Sequence, residues 1–311
     1  MTFTRLVKNE LVTVPVNHSE MLAEFAAFLN FSGEFHIENG AKTIEFQTKN
    51  PSITKRFLML SKALYDTDTE LLQKEQQKFT KKPLIILKLT KNVSEIINEH
   101  DYLGNPVDNM RLITKTDNEK KALLRGAFLV NGSVNHPKTA EYHLEIYAGK
   151  QDEIIFIQAM MNYFNLNARI TKRRQGFIAY LKDAESISDF LKLVGATNQV
   201  FKYEDYRINR DMMNSINRTI NCEIANEKKS VKAAEEQIRN INIIKKELTY
   251  LEIDDKIEQI MDLRLKYPDA NLRQLSTLFE EEYGETISRS GINHRFNKIK
   301  EIVESHKGGK E

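Results

Sequence analysis

The sequence predicts an α+β chain in which two successive α-β-β-α-β-β-α units precede an all-α helix-turn-helix. A glycine-ended apolar segment occurs twice, as Phe25-Ala26-Ala27-Phe28-Leu29-Asn30-Phe31-Ser32-Gly33 and Leu124-Arg125-Gly126-Ala127-Phe128-Leu129-Val130-Asn131-Gly132, about a hundred residues apart. The same order of helical and strand-like patterns follows each copy, and an internal repeat of that kind sets the whole architecture. The third observation is the tail, where helical patterns are punctuated by Pro268 and Gly284.

Both glycine-ended segments read as helix ends, and Ala26, Ala27, Gly126 and Ala127 would let two backbones approach closely. In the first unit, strand-like alternation follows within 34–48, as in Thr43-Ile44-Glu45-Phe46-Gln47. A helix over 52–65, strands within 71–90 and a short helix near 94–99 complete it. The second unit runs through strands within 133–148, a helix over 153–164, strands at 168–171 and 177–181, and a helix over 186–194. Residues 1–205 therefore form one domain of two repeats, about 1–105 and 115–200.

Residues 206–251 lack Gly and Pro and read as a helical linker. Val231, Ala234, Ile238, Ile241, Ile244 and Leu248 recur at steps of three and four, which predicts a long helix over 226–248 with its apolar side packed on a neighbour. The last domain, 252–311, begins with a helix over 254–266 that Tyr267-Pro268 ends, because proline disfavours helical geometry in the residue before it. A second helix follows, capped by Asn271 or Asp269, with Leu272, Leu275, Leu278 and Phe279 facing inward. Gly284 supplies a turn, and Ser288 is the expected N-cap of the final helix.

In that final helix, spanning 287–299, Ile292, Phe296 and Ile299 form one apolar stripe, with Val303 beyond them. Ser290, Asn293, His294, Asn297 and Lys298 lie away from the stripe, and Arg289 and Arg295 flank it. Such side chains pair with base edges, and a helix fits the major groove. An ordinary amphipathic helix with a solvated polar face shares this pattern.

With 41% apolar residues and 16 Phe in 311 residues, the chain is globular rather than disordered. The formal net charge of +2 decides nothing about nucleic acid; local clusters matter more, because they displace counterions from a phosphate backbone. Lys172, Arg173 and Arg174 form one cluster, and Arg207, Arg210, Arg218, Lys228 and Lys229 add further cations, each also readable as solvated surface. The single cysteine, Cys222, can form no internal disulfide or multi-cysteine zinc site, and reads as a packed or incidental thiol in a reducing cytoplasm. A secretory leader and a run of about 18 apolar residues are both missing, so no membrane is expected. There is no Walker-type loop and no His-x-x-x-His pair, and no cofactor or metal is expected.

The repeated arrangement resembles the LAGLIDADG homing-endonuclease fold, in which two such helices pair and the following sheets form a saddle over DNA. With the helix-turn-helix behind it, Arg125-Gly126-Ala127-Phe128 leading to Asn131-Gly132-Ser133-Val134, and Asn221-Cys222-Glu223-Ile224-Ala225-Asn226, the chain resembles the WhiA family. That resemblance implies a non-catalytic, sequence-specific regulator of transcription that binds double-stranded DNA. It further implies other transcription proteins as partners, a cytoplasmic, nucleoid-associated location, and links to cell division, chromosome segregation and sporulation. The Asn-Arg and Asn-Cys motifs of the family are matched by Asn209-Arg210, Asn217-Arg218 and Asn221-Cys222, whose side chains either contact phosphates or brace the domain junction.

One departure bears on chemistry. Active LAGLIDADG enzymes carry an acidic metal ligand before each terminal glycine, where this chain has Ser32 and Asn131. Hard divalent cations favour charged oxygen ligands, so a metal-dependent endonuclease is the alternative expectation and the weaker one. Glu34 lies nearby but does not rebuild a symmetric pair. A third alternative is a protein-interaction scaffold with a purely structural helix-turn-helix.

Overall fold

A computed structural model describes residues 2–38, 40–74, 83–249 and 251–308. It divides into two compact units, Met1–Asp211 and Met212–Glu311. In the first, α1 (Phe3–Leu11) precedes α2 (His18–Ser32), β1 (Gly33–Glu38), β2 (Ala41–Thr48), α3 (Pro51–Tyr65), β3 (Thr69–Lys74), β4 (Leu84–Leu89) and α4 (Val93–Glu99). After α5 (Pro106–Ile113) the pattern recurs as α6 (Asp117–Asn131), β5 (Gly132–Val134), β6 (Leu144–Ala148), α7 (Gln151–Tyr163), β7 (Arg169–Arg173), β8 (Gly176–Leu181) and α8 (Ala184–Val194). The two antiparallel sheets have the same order, β1-β2-β4-β3 and β5-β6-β8-β7. The duplicated α+β architecture expected from the sequence is present.

Each repeat starts with the same local device. Asn17 and Thr116 accept hydrogen bonds from the backbone amides of Glu20 and Glu119, while those glutamates reach back to the cap residues, closing capping boxes on α2 and α6. Strand burial alternates at a period of two, as in Leu144, Ile146 and Ala148 of β6, so one face of each sheet packs on the helices. The first core is aromatic, with Phe46 stacked on Phe57 at 4.5 Å and tilted against Phe28 at 5.4 Å between ring centroids.

A buried His100 shares a 2.8 Å hydrogen bond with the Tyr65 hydroxyl. Burial lowers the His100 pKa from 6.5 to about 4. In the unfolded chain the imidazole protonates below about 6.5, whereas in the fold it resists protonation until about 4. Stability is thus complete above pH 6.5 and is lost as pH falls towards 4, by up to about 3 kcal/mol. His100→Gln is expected to flatten this part of the stability–pH curve, as measured by urea unfolding at pH 7 and pH 5.

The second unit contains most of α9 (Thr197–Glu247), then α10 (Asp255–Lys266), α11 (Leu272–Tyr283) and α12 (Arg289–Gly308). α9 begins well before the linker helix expected over 226–248. Its first amides are capped from a distant element: Glu10 on α1 accepts from Asn198 N at 2.7 Å and Gln199 N at 3.0 Å. Ile241, Ile244 and Leu248 at its other end are buried with Ile260, Leu275, Phe279, Ile292 and Phe296, so this stretch is core rather than spacer. Val231, expected on the packed side, is exposed.

A candidate nucleic-acid interface

α11 starts at Asn271, whose side chain accepts from Arg273 N and Gln274 N, both at 3.0 Å; of the two caps considered, Asn271 is the one used. Leu275 and Phe279 are buried, and Leu272 and Leu278 are half-buried against the same core. The helix ends at Gly284 with φ 68°, a left-handed geometry that costs glycine little. Residues 284–288 form the turn, tied back by a hydrogen bond from the Ser276 hydroxyl to the Ile287 carbonyl. Ser288 then caps α12, its hydroxyl accepting from Gly291 N at 3.1 Å.

This arrangement fixes the rotation of α12. Ile292, Phe296, Ile299 and Val303 are all buried, at most 4% exposed, so the helix cannot turn about its axis without uncovering them. Arg289, Ser290, Asn293, His294, Asn297 and Lys298 are exposed on the other side. Ser290 shares a 3.1 Å contact with Ser288. Arg289, Asn293, His294, Asn297 and Lys298 make no side-chain hydrogen bond or ion pair among the described residues, leaving their donors and acceptors available. Arg295 differs: it is half-buried, and its Nη1 lies 3.5 Å from the Gly291 carbonyl of its own helix.

The other basic residues are less unified than their clustering in sequence implies. Arg210 is already engaged: Nη1 donates to the Thr139 carbonyl at 2.8 Å, Nη2 to the Ala140 carbonyl at 2.9 Å, and the guanidinium lies 4.5 Å from the Tyr142 ring centre. It braces the first unit, which corrects its expected role at DNA. Lys172 and Arg173 pair with Phe177 and Gly176 on β8, and the two-residue period of a strand sends them to opposite faces. Arg173 is also held at 3.3 Å by Glu145. All three residues are exposed, but Lys172 and Arg173 leave the strand on opposite faces. Arg218 is exposed on α9 without an ion pair among the described residues. Cys222 is exposed, not packed.

At the repeat junction α2 and α6 lie in close contact. A Cβ on Gly126 would come 2.7 Å from the Glu24 carbonyl oxygen, so the absence of a side chain is what permits this approach. Beside it lies a feature the sequence reading did not identify. Glu24, fully buried, accepts from Arg56 Nε at 2.8 Å and Nη2 at 2.9 Å, and from Arg125 Nε at 2.9 Å. An isolated Glu24 inside Met21-Leu22-Ala23-Glu24-Phe25-Ala26, with Arg125 inside Leu123-Leu124-Arg125-Gly126, was the available signal. A buried charge needs a partner.

Where a LAGLIDADG nuclease would hold metal, the donors here do not fit. Asn131 uses its Nδ2 as a donor to the Phe31 carbonyl of the opposite helix at 3.0 Å, and Ser32 offers a neutral hydroxyl. Glu34 is exposed, lying 3.7 Å from His36 and 3.5 Å from Gln47. Among the described residues no group of three His, Cys, Asp or Glu side chains could hold an ion. The sheet faces turned from the core also differ: Glu34 pairs with Glu45, and Glu45 with Lys88, which pairs in turn with Glu70. Arg169, Tyr180 and Glu145 occupy the corresponding row of the second sheet. Carboxylates on the first face would repel a phosphate backbone. No helix is long and apolar enough to cross a membrane among the described residues.

Comparison with known proteins accords with this geometry. Family models match as the WhiA N-terminal LAGLIDADG-like domain over residues 18–101, the WhiA LAGLIDADG-like domain over 120–213 and the WhiA C-terminal HTH domain over 216–303. The chain is similar to "Probable cell division protein WhiA" of Ligilactobacillus salivarius, with 41% identity over 99% of this chain and 98% of the relative. The protein of the same name from Enterococcus faecalis is 39% identical over 98% of both chains. The crystal structure of full-length DUF199/WhiA from Thermatoga maritima has the same fold, with a TM-score of 0.61 and 24% identity over 98% of this chain and 99% of that one.

Proposed function

The chain belongs to the WhiA family, and from that premise we propose that it is a non-catalytic, sequence-specific regulator of transcription that binds double-stranded DNA through α12. The observation that carries this reading is the division of α12 into a buried apolar stripe and an exposed side with five unengaged polar or charged residues. Arg289, Asn293, His294, Asn297 and Lys298 read base edges, and exposed cations such as Arg218, Lys172 and Arg174 add phosphate contacts. The relatives' printed name supports a role in cell division; chromosome segregation, sporulation control, partner transcription proteins and a nucleoid-associated cytoplasmic location complete the proposal.

Asn293→Ala and Arg289→Ala should each weaken binding to a selected target duplex by about 1–3 kcal/mol and relax preference at one base pair. Competition titrations against mixed-sequence DNA check this; unchanged affinity and preference in both variants would favour the interaction scaffold. The endonuclease reading retains the saddle-forming sheets in its favour, but fold alone does not carry activity. Neutral Ser32 and the Asn131 donor weigh against it. Plasmid nicking in Mg²⁺ or Mn²⁺ that disappears in Glu34→Ala would restore it.

A further inference from the structure

We propose that a groove in the C-terminal unit seats a backbone phosphate of the bound duplex, with Lys229, Arg273 and Arg289 as its cationic rim. This rests on the reading of α12 as the base-contacting helix and extends the nucleic-acid surface onto α9 and α11. The groove has a volume of about 960 Å³ and is walled by α9, the first turn of α11 and the start of α12. Its three rim cations come from three different helices. None of their side chains has an ion-pair or hydrogen-bond partner among the described residues.

The wall of the groove adds a charge that cannot be neutralised locally. Arg264 is 2% exposed, and no carboxylate lies within ion-pairing distance of it among the described residues. Its Nη1 is held only by backbone carbonyls, with Ala270 O at 2.5 Å and Tyr267 O at 3.4 Å, while its Nε has no partner. The Phe296 ring, 5.4 Å away, covers the guanidinium. Burial lowers the Arg264 pKa to about 10, which still leaves it cationic at neutral pH. Against these four cations the groove sets two carboxylates, Glu227 and Asp269. A buried uncompensated cation beneath unpaired surface cations favours an anion in the groove.

Arg289 determines which anion. It lines the groove and also opens the exposed side of α12, directly before Ser290 and four residues before Asn293, about one turn of helix away. An anion bound there is continuous with the bases that α12 would read, which a DNA strand satisfies. Phosphate contacts position a protein on the duplex, and base contacts then specify the sequence.

The test uses the full-length chain and a fluorescein-labelled mixed-sequence duplex, with anisotropy titrations across a NaCl series. Lys229→Gln and Arg273→Gln should each lower affinity about five- to tenfold near 0.1 M salt and reduce the slope of log K against log salt by about one. Arg273→Lys should keep the slope, as should Lys246→Gln, an exposed α9 cation outside the groove. Wild-type slopes in Lys229→Gln and Arg273→Gln, with Asn293→Ala still impaired, would overturn the groove and leave the base-reading helix standing. Failure of the unmodified chain to bind any duplex at low salt would remove both. Saturable binding of inorganic phosphate, abolished by Arg273→Gln while the DNA slopes stay unchanged, would assign the groove to a free anion and overturn the proposal.

Discussion

Glu24→Gln is expected to destabilise the N-terminal unit by about 3–5 kcal/mol, because it leaves two buried guanidinium groups facing one another without a carboxylate. Arg56 and Arg125 are each only 5% exposed, and Arg125 Nη2 already lacks a partner. Water cannot take over the role of Glu24. The loss should be visible as faster amide exchange in α2 and α6, with a lower urea midpoint for the N-terminal transition. Glu34→Gln, at an exposed position, should stay within about 0.5 kcal/mol of the parent. Replacing Glu24, Arg56 and Arg125 together with apolar residues of similar volume should recover most of the loss, since a buried ion network often contributes little over a well-packed hydrophobic substitute. An unchanged Glu24→Gln midpoint would show that the triad is hydrated and does not lock the paired helices.

Phe296→Ala should cost the C-terminal unit about 3–5 kcal/mol and abolish DNA binding, while leaving the first unit folded. Phe296 is 4% exposed, supports the rotation of α12 and covers the guanidinium of Arg264. Truncating it opens a cavity and hydrates a buried charge at once, and the helix loses the constraint that keeps Asn293 and Asn297 outward. Domain-resolved hydrogen exchange beside a binding titration would check both halves of this expectation. Full DNA affinity in a variant with an unfolded C-terminal unit would mean that the first unit is the DNA-binding element.

Much of this fold was legible because its periods are strong and its boundaries are chemically marked. Leu144, Ile146 and Ala148 alternate into the core, and Ile292, Phe296 and Ile299 recur at helical spacing, so both elements took the expected side. Asn17-His18-Ser19-Glu20 and Thr116-Asp117-Asn118-Glu119 are equally plain capping-box sequences. The early start of α9 was not readable, since its cap is the carboxylate of Glu10, almost two hundred residues upstream. Local patterns carry no trace of such a partner.

The same limit applies to the candidate interface. The exposed side of α12 followed from its apolar stripe, whereas adjacency misled elsewhere. Lys172 and Arg173 diverge because strand neighbours point apart, and Arg210 is consumed by carbonyls of Thr139 and Ala140. Lys229 and Arg273 share a groove only because α9 packs against the helix-turn-helix. Composition could not bring those two residues together.

The most direct measurement is genome-wide mapping of bound sites for the full chain alongside a variant carrying Arg289→Ala, Asn293→Ala and Asn297→Ala. The expected result is a set of sites sharing one sequence pattern in the parent and loss of that pattern in the folded variant. An identical pattern and occupancy in the variant would contradict base reading by α12.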